Sequence, residues 1–395
     1  MALTGVADAQ SIPVRVTAEQ ADCAAAPLVL TLTKSELKKK YTLPTDAPIL
    51  TCQITTVGRN EARVVFLAPA LKKGESKLFV LTPRKTALVS VKKAGKNAEV
   101  TIDGQLFTRY DTTTGPNKPY FYPIQAFGGK HLTRRWPLED AGHEEKDHPH
   151  HRGLWFTHGE MNGIDFWAEL ESKPEHPVGK TVHTGYSALK SGAVYGKLGT
   201  RTDWNTPEGK TIAKDTREVM VTPLDEGNVL FDFAITVTAV GGPLHWGDTK
   251  EGTFAIRIPE TMKAEKDGKG TLESAEGLKN AAVWGKPSPW HDYWGPVEAG
   301  SETFGIAIFD APTNPRYPST WHSRTYGLYA VNPFGLHDFD ATKKTDRHAG
   351  DLVTPEGASV TFRYRVLFHK GDTRAAKIAE SFAAWATPPK VELAR

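Results

Sequence analysis

Arg217-Glu-Val-Met-Val-Thr222 and Val229-Leu-Phe-Asp-Phe-Ala-Ile-Thr-Val-Thr-Ala-Val240 make up the stretch with the clearest strand signals in the sequence. Both segments are rich in β-branched and aromatic residues, which favour strands. The residues between them include Pro, Asp, Gly and Asn, which favour turns. The stretch therefore predicts two consecutive strands, the second of which is long enough to cross a large sheet.

The same pattern recurs along most of the chain. Asp103-Gly104 lies between two apolar segments, which is typical of a β-hairpin. Apolar residues recur at helical spacing only from Arg374 to Ala386 and predict one helix there. Further strands are predicted at Gly252–Ile258, Thr303–Phe309, Tyr326–Val331 and Ser359–Phe368. We therefore predict an all-β fold in which residues 97–390 form a large antiparallel β-sandwich with a C-terminal helix.

Residues 11–96 are a smaller region of the same type. Short β-branched segments such as Pro27–Thr33 and Ala62–Leu67 are separated by Gly, Asn, Pro and Lys. The pattern predicts a small N-terminal immunoglobulin-like β domain, in which we find no cluster of catalytic residue types. Cys23 and Cys52 both lie in this region. In an exported protein they could form a disulfide, and two buried free thiols are the alternative.

Composition and the first residues bear on localisation and partners. Ala7-Asp8-Ala9 resembles a signal-peptidase site, so residues 1–10 are predicted to be an export-signal remnant or disordered, in a periplasmic or secreted protein. The net charge is +3 from 49 basic and 46 acidic residues with the signs interspersed, which does not favour nucleic-acid binding. No apolar run reaches the roughly 18 residues needed to span a bilayer.

The segment Asp147-His-Pro-His-His-Arg-Gly-Leu-Trp155 carries the strongest functional signal. Three imidazoles and a guanidinium within five residues cannot all be buried without partners. In an extended conformation, His148, His150 and Arg152 would share one face and His151 would point to the other. The Asn162-Gly163 turn signal is expected to fold the following residues back beside these histidines.

Two later segments bring further polar groups. A carboxylate pair stands at a predicted strand entrance near residue 250, and an imidazole, a guanidinium and a phenol alternate near residue 324. Imidazole titrates close to neutral pH and can give or take protons. The candidate catalytic residues are His150, His151, His322, Glu251 and Asp248, and the candidate substrate-binding residues are Arg152, Arg324, Tyr326, Trp155, Asp165, Trp167, Asn332 and His148.

Several of these strings resemble a known family. Lys118-Pro-Tyr-Phe-Tyr-Pro123, Asp147–Trp155, Asn162–Trp167, Gly247–Gly252 and Tyr326–Gly335 are similar to the bacterial family labelled "methane oxygenase PmoA-like", over about residues 100–390. The resemblance implies a protein found in glycan-degrading bacteria. It also implies a galactose-mutarotase-like supersandwich, in which a His and a carboxylate act on a sugar ring in a broad cleft.

Three functions fit these observations. The leading hypothesis is a carbohydrate-active enzyme that uses His and carboxylate acid–base chemistry to hydrolyse, eliminate or epimerise a glycoside or an oxidised (keto) sugar. The second is a metal-dependent oxygenase or metallo-hydrolase, with His148 and His150 as ligands and His322 or Asp248 as a third. The third is a non-catalytic glycan-binding protein. No phosphate-binding or dinucleotide-binding motif is found, so no cofactor is predicted beyond a possible divalent metal.

Overall fold

The structure is a computed structural model that describes residues 10–142, 144–298, 300 and 302–394. The export-signal remnant predicted at residues 1–10 therefore lies, except for Gln10, outside the described residues. Strands account for 47% of the chain and helices for 7%, which confirms the predicted all-β fold class. Within the described residues, no helix has the length and apolar character needed to cross a membrane.

The elements are numbered in chain order. The strands are β1 (Ile12–Thr17), β2 (Ala26–Thr33), β3 (Ile49–Val57), β4 (Glu61–Ala68), β5 (Ser76–Pro83), β6 (Val89–Ala94), β7 (Asn97–Ile102), β8 (Gln105–Asp111), β9 (Tyr120–Ala126), β10 (Lys130–His131), β11 (Leu154–His158), β12 (Lys180–Lys190), β13 (Gly196–Asn205), β14 (Thr211–Pro223), β15 (Val229–Ala239), β16 (Leu244–Trp246), β17 (Gly252–Arg257), β18 (Thr271–Ser274), β19 (Trp290–Pro296), β20 (Thr303–Asp310), β21 (Thr320–Trp321), β22 (Leu328–Asn332), β23 (Leu352–Thr354), β24 (Ser359–Lys370) and β25 (Lys390–Leu393). The helices are α1 (Lys34–Leu37), α2 (Leu336–Phe339) and α3 (Ile378–Ala386), with 3-10 turns at Asp225–Gly227, Glu260–Met262 and Asn280–Val283.

Two large sheets form the main sandwich. The nine-stranded sheet has the order β21-β22-β17-β11-β9-β8-β7-β6, with β10 beside β9, and the eight-stranded sheet has the order β12-β13-β14-β15-β24-β20-β19-β18. Aromatic side chains from both sheets meet in one core: the rings of Phe121 and Phe231 are 5.0 Å apart, and those of Phe254 and Tyr364 are 4.7 Å apart. β16 and β23 form a separate pair.

The predicted strands at residues 217–222 and 229–240 lie in the centre of the eight-stranded sheet. β14 and β15 pair antiparallel from Pro223 opposite Val229 to Ala213 opposite Ala239. The Asp103-Gly104 signal also gives the predicted hairpin, since both residues have positive φ (48° and 80°) and join β7 to β8.

The small N-terminal region forms a six-stranded sheet in the order β2-β4-β3-β5-β1-β25, around a core of its own. Cys23 and Cys52 are both buried in this core, and both are free thiols. The sheet is closed on one side by β25, which no sequence signal indicated. β6, which the sequence assigned to the small region, instead pairs with β7 and belongs to the nine-stranded sheet.

The C-terminal helix α3 begins later than the sequence predicted. It starts at Ile378 and not at Arg374, because Lys377 adopts a left-handed conformation (φ 53°) that interrupts the helical backbone. Its apolar side chains, which include Phe382 and Trp385, pack against Phe309 of β20. The helix therefore covers the outer face of the eight-stranded sheet, and the outer face of the nine-stranded sheet carries different groups.

Candidate functional site

The candidate site lies on the outer face of the nine-stranded sheet. Trp155 of β11 stands opposite Ala255 of β17, which stands opposite Ala330 of β22. These three side chains belong to a cluster separate from the sandwich core. The backbone N–H of His322 donates to the carbonyl of Ala330 at 2.8 Å, so His322 follows in the same row. Two small alanine side chains therefore separate Trp155 from His322 across the strands.

The His-rich segment is a turn and not the extended strand that the sequence analysis assumed. His148 has a φ of 45°, and the backbone N–H of His151 donates to the His148 carbonyl at 3.0 Å. The predicted division into two faces is therefore wrong, because the turn brings residues 148 and 151 to the same side. Gly153 then lets the chain enter β11, since a Cβ there would lie 2.1 Å from the carbonyl oxygen of Phe121.

Four near-parallel rings result, here named the ring column: Tyr326, His148, His151 and Trp155. The ring centroids of Tyr326 and His148 are 5.2 Å apart, those of His148 and His151 are 4.8 Å apart, and those of His151 and Trp155 are 5.4 Å apart. Trp167 packs at an angle on Trp155, 5.2 Å away. The indole N–H groups of both tryptophans are buried and find no partner among the described residues.

Two fully buried arginines share one carboxylate below the column. Arg257 donates to both oxygens of Asp147 at 2.9 and 3.1 Å, and Arg134 forms an ion pair with the same group. The ring Nδ1 of His148 lies 2.7 Å from the second carboxylate oxygen. Burial raises the pKa of Asp147, but the hydrogen bond from His148 and the two guanidinium charges outweigh it and leave the pKa below its ordinary value.

A second shared carboxylate lies on the other side of the histidines. Glu169 is buried and accepts from Lys118 Nζ at 3.1 Å and from Arg152 Nε at 2.8 Å. Lys118 is fully buried, and its ammonium also donates to the carbonyl of Trp167 at 3.0 Å. Burial lowers the pKa of Lys118, while Glu169 opposes that change. Each flank of the His segment thus has two cations for one bridging carboxylate.

The tautomers of two candidate histidines are fixed by their neighbours. Nη1 of Arg257 lies 3.3 Å from Nδ1 of His151, and the indole N–H of Trp284 donates to Nδ1 of His322 at 3.0 Å. A guanidinium or an indole N–H can only donate, so each Nδ1 accepts and each neutral ring carries its proton on Nε2. Burial, followed by nearby positive charge, lowers the pKa of His322 to about 3 and that of His151 well below its ordinary value.

His150 differs from its neighbours because its ring nitrogens form no hydrogen bond with the described residues. It packs edge-on against His151 at 4.4 Å, and neither of its ring nitrogens hydrogen-bonds to any described residue. Burial and then the charge of Lys118 lower its pKa to about 3, so the ring is neutral near pH 7. Within the described part of the chain, no three His, Cys, Asp or Glu side chains are grouped in a way that could hold a metal ion.

The third segment also lies at the column, although residues 322–327 form a hairpin turn and not the predicted strand. The guanidinium carbon of Arg324 lies 5.6 Å from the ring centroids of both Tyr326 and Trp284. Burial raises the pKa of Tyr326 to about 12 against the opposing charges of Arg257 and Arg324, and Glu251 adds to the rise. Glu251 is partly exposed and pairs with Lys250 at 2.9 Å. All three predicted segments therefore converge.

Three predicted site residues have their polar atoms engaged by the backbone. Asp165 accepts from the N–H groups of residues 167 and 168 and shapes the turn that carries Trp167. Asp248 accepts from the N–H groups of residues 337 and 350, and it holds the loop that contains α2. Asn332 donates to the Thr249 carbonyl and accepts from the N–H of Phe334. The geometry of these three residues is that of loop-positioning groups.

Several residues of the site have no signal in the sequence. Arg134, Lys118 and Glu169 are charged but almost fully buried, and no local pattern distinguishes them from surface charges. Trp284 lies 38 residues before the histidine that it orients. Only the register of the strands brings these residues together, and a register depends on contacts across the whole sheet.

The fold and the site define an all-β sandwich protein with a cluster of neutral imidazoles and incompletely paired cations on one outer sheet face. Residues 97–383 match the model of a family described as "Family of unknown function (DUF6807)", and the chain belongs to this family. The predicted membership of the PmoA-like family is therefore wrong, because the family model that matches is this one. No curated protein matches the chain.

Proposed function

We propose that this protein is a carbohydrate-active enzyme that acts on an oxidised (keto) sugar or its glycoside. The observation that carries the proposal is the fixed tautomer of His151 and His322, each of which presents an uncharged Nε2–H donor. Neutral imidazole N–H donors suit the oxygen of a carbonyl, because they can donate hydrogen bonds to an oxyanion while the ring itself stays uncharged. Tyr326 is partly exposed and offers an aromatic face to a sugar ring, and the buried rings of Trp155 and Trp167 lie at the other end of the column.

The proposed chemistry begins with removal of a proton from the carbon next to the ketone. The base is His150, whose ring nitrogens are free, or the carboxylate of Glu251. The enolate oxygen accepts hydrogen bonds from the imidazole donors. Expulsion of a substituent at the β carbon then gives elimination, and return of the proton to the opposite face gives epimerisation. Hydrolysis is completed when water adds to the eliminated product.

The test measures exchange of the carbon-bound proton. Aryl glycosides and their forms with one ring hydroxyl oxidised to a ketone are incubated in D2O, and deuterium incorporation and aryl alcohol release are followed by NMR. We expect exchange with the wild-type protein and a loss of about 10²–10³-fold for His151→Ala and His322→Ala. The exposed His348→Ala is the matched control and keeps the wild-type rate.

Two outcomes would contradict the proposal. Absence of exchange and of any product on both the keto sugars and their parents would remove the enzyme activity, and sugar binding without turnover would favour a glycan-binding protein. Wild-type rates in His151→Ala and His322→Ala would remove the proposed roles of these donors. Thermal unfolding of each variant separates a catalytic loss from a folding defect.

We also propose that the protein is exported to the periplasm or secreted. The support is the small-residue pattern at Ala7-Asp8-Ala9. Fractionation of cells that express the protein from its natural gene checks this directly. Recovery in the cytoplasmic fraction alone would contradict it.

A further inference from the structure

Arg324 is the one guanidinium near the ring column whose charge has no partner among the described residues. Its guanidinium lies between the rings of Trp284 and Tyr326, 5.6 Å from each centroid. It forms no hydrogen bond and no ion pair with any residue that the structure describes, although the side chain is half-buried. Two aromatic rings therefore hold this group in place while its N–H donors remain unused.

The other cations around the column differ in this respect. Arg134 and Arg257 share Asp147, and Arg152 donates through Nε to Glu169. Two acidic groups near His322 and Tyr326 are also engaged: Glu251 pairs with Lys250, and Asp338 pairs with Lys343 and accepts the backbone N–H of Lys250. The described residues thus supply no carboxylate for the guanidinium of Arg324.

We infer that Arg324 binds a carboxylate of the substrate, which makes the substrate an acidic sugar of the uronic acid class. The inference rests on the proposed function and adds the substrate class. A guanidinium presents parallel N–H donors that match the two oxygens of a carboxylate, and such charge-assisted pairs are among the stronger hydrogen bonds in proteins. Stacking on two rings already limits its conformations, so little side-chain entropy is lost when the carboxylate binds.

The electrostatic surroundings also favour an anion. Lys118, Arg134 and Arg257 are fully buried, and after burial itself their positive charges contribute to the lowered pKa of His150. The two flanking carboxylates, Asp147 and Glu169, are each shared by two cations. A bound uronate would add a negative charge where the protein has cations in excess, and a neutral sugar would not.

The test compares acidic sugars with their neutral counterparts. Calorimetric titrations use D-glucuronate against D-glucose and D-galacturonate against D-galactose, with the wild-type protein, Arg324→Gln and Arg324→Lys. Arg201→Gln, an exposed arginine of β13, is the matched control. We expect the wild type and the control to bind the uronates at least about tenfold more tightly than the neutral sugars. Arg324→Gln should lose this preference, and Arg324→Lys should retain part of it.

The inference and the proposed function fail in different ways. No detectable uronate binding, equal affinity for uronate and neutral sugar, or a preference that survives in Arg324→Gln would overturn the inference. Uronate binding that depends on Arg324 supports the inference even when no keto sugar undergoes deuterium exchange, a result that would overturn only the proposed function. Equal turnover of acidic and neutral keto sugars would support the proposed enzyme activity and contradict the proposed carboxylate subsite.

Discussion

The two large sheets treat buried charge in opposite ways. In the eight-stranded sheet, Arg217 binds both oxygens of Asp215 at 2.9 Å, and Arg365 binds both oxygens of Asp232 at 2.5 and 2.9 Å. On the outer face of the nine-stranded sheet, cations share carboxylates or, like Arg324, have none. Fully paired buried charges are typical of a structural role, and incompletely paired charges are found more often at functional sites.

The contrast extends to His369 and two of the site histidines. His369 of β24 packs over Gly305 of β20 and pairs with the buried carboxylate of Asp292 on β19 at 3.0 Å. His151 and His322 have no carboxylate partner and are contacted at Nδ1 by donors. A carboxylate partner would favour the charged imidazolium, and a donor partner favours the neutral ring. His369 therefore has the kind of partner expected of a histidine that stabilises the fold, and His151 and His322 are held as neutral rings.

Removal of one complete ion pair from the eight-stranded sheet should have the largest effect on stability. Asp215→Asn leaves the buried Arg217 without its negative partner and also weakens the hydrogen bond from the Trp204 indole. We expect the free energy of unfolding to fall by about 3–5 kcal/mol. Glu218→Gln, on the same strand but in an exposed pair with Lys197, should cost less than about 1 kcal/mol. Urea unfolding measures both, and equal losses would contradict the structural role of the pair.

Acid should lower the free energy of unfolding through the site histidines that have no carboxylate partner. The pKa of His322 is about 3 in the folded protein and returns to about 6.5 on unfolding, so the unfolded state binds a proton that the folded state does not. Its contribution is complete above pH 6.5 and is lost as the pH falls, by about 2 kcal/mol at pH 5. We expect His322→Gln to reduce the difference in unfolding free energy between pH 7 and pH 5 by that amount.

Exposed His348 provides the control for this measurement, since His348→Gln should leave the pH 7 to pH 5 difference within about 0.5 kcal/mol of the wild type. The readout is the change with pH and not the stability at one pH, so a constant loss from the substitution does not enter. An unchanged pH dependence in His322→Gln would show that this ring is not held neutral by the fold.

A smaller effect tests the tautomer of His322. Trp284→Phe removes the N–H that donates to Nδ1 and keeps an aromatic ring beside Arg324. Both neutral tautomers then become accessible, and we expect deuterium exchange on a keto sugar to slow about tenfold. Two-dimensional 15N NMR of the imidazole should show the change of tautomer directly. Trp385→Phe, on α3, is the control and should alter neither measurement.

Much of the fold could be predicted because strand signals are local. β14, β15 and β24 are each longer than ten residues, with apolar residues that alternate with polar ones or follow each other directly. The Asp103-Gly104 turn depends only on the backbone conformations of these two residues. β25 could not be predicted in the same way, because its four residues become a strand only through pairing with β1. The late start of α3 depends on the single left-handed residue Lys377 within a helical pattern.

The site shows a similar limit. The histidine run, Arg324 and Tyr326 could be selected from the sequence, because clustered polar and aromatic side chains are conspicuous in it. The order of the ring column depends on the backbone of His148, and an extended strand would have separated His148 from His151. The protonation of His322 depends on a tryptophan in another loop. The sequence therefore indicates which residue types form the site, and tertiary contacts determine their arrangement and protonation.

The pairing of β25 with β1 has a consequence for the order of events during synthesis. β1 to β5 leave the ribosome before the strands of the two large sheets, yet the edge of β1 that faces away from β5 receives its partner only after those strands have been made. Until then, that edge exposes unpaired backbone groups that could recruit a strand from another nascent chain. The small sheet is thus prone to pairing with other chains early in synthesis, and it is complete only when β25 has paired with β1.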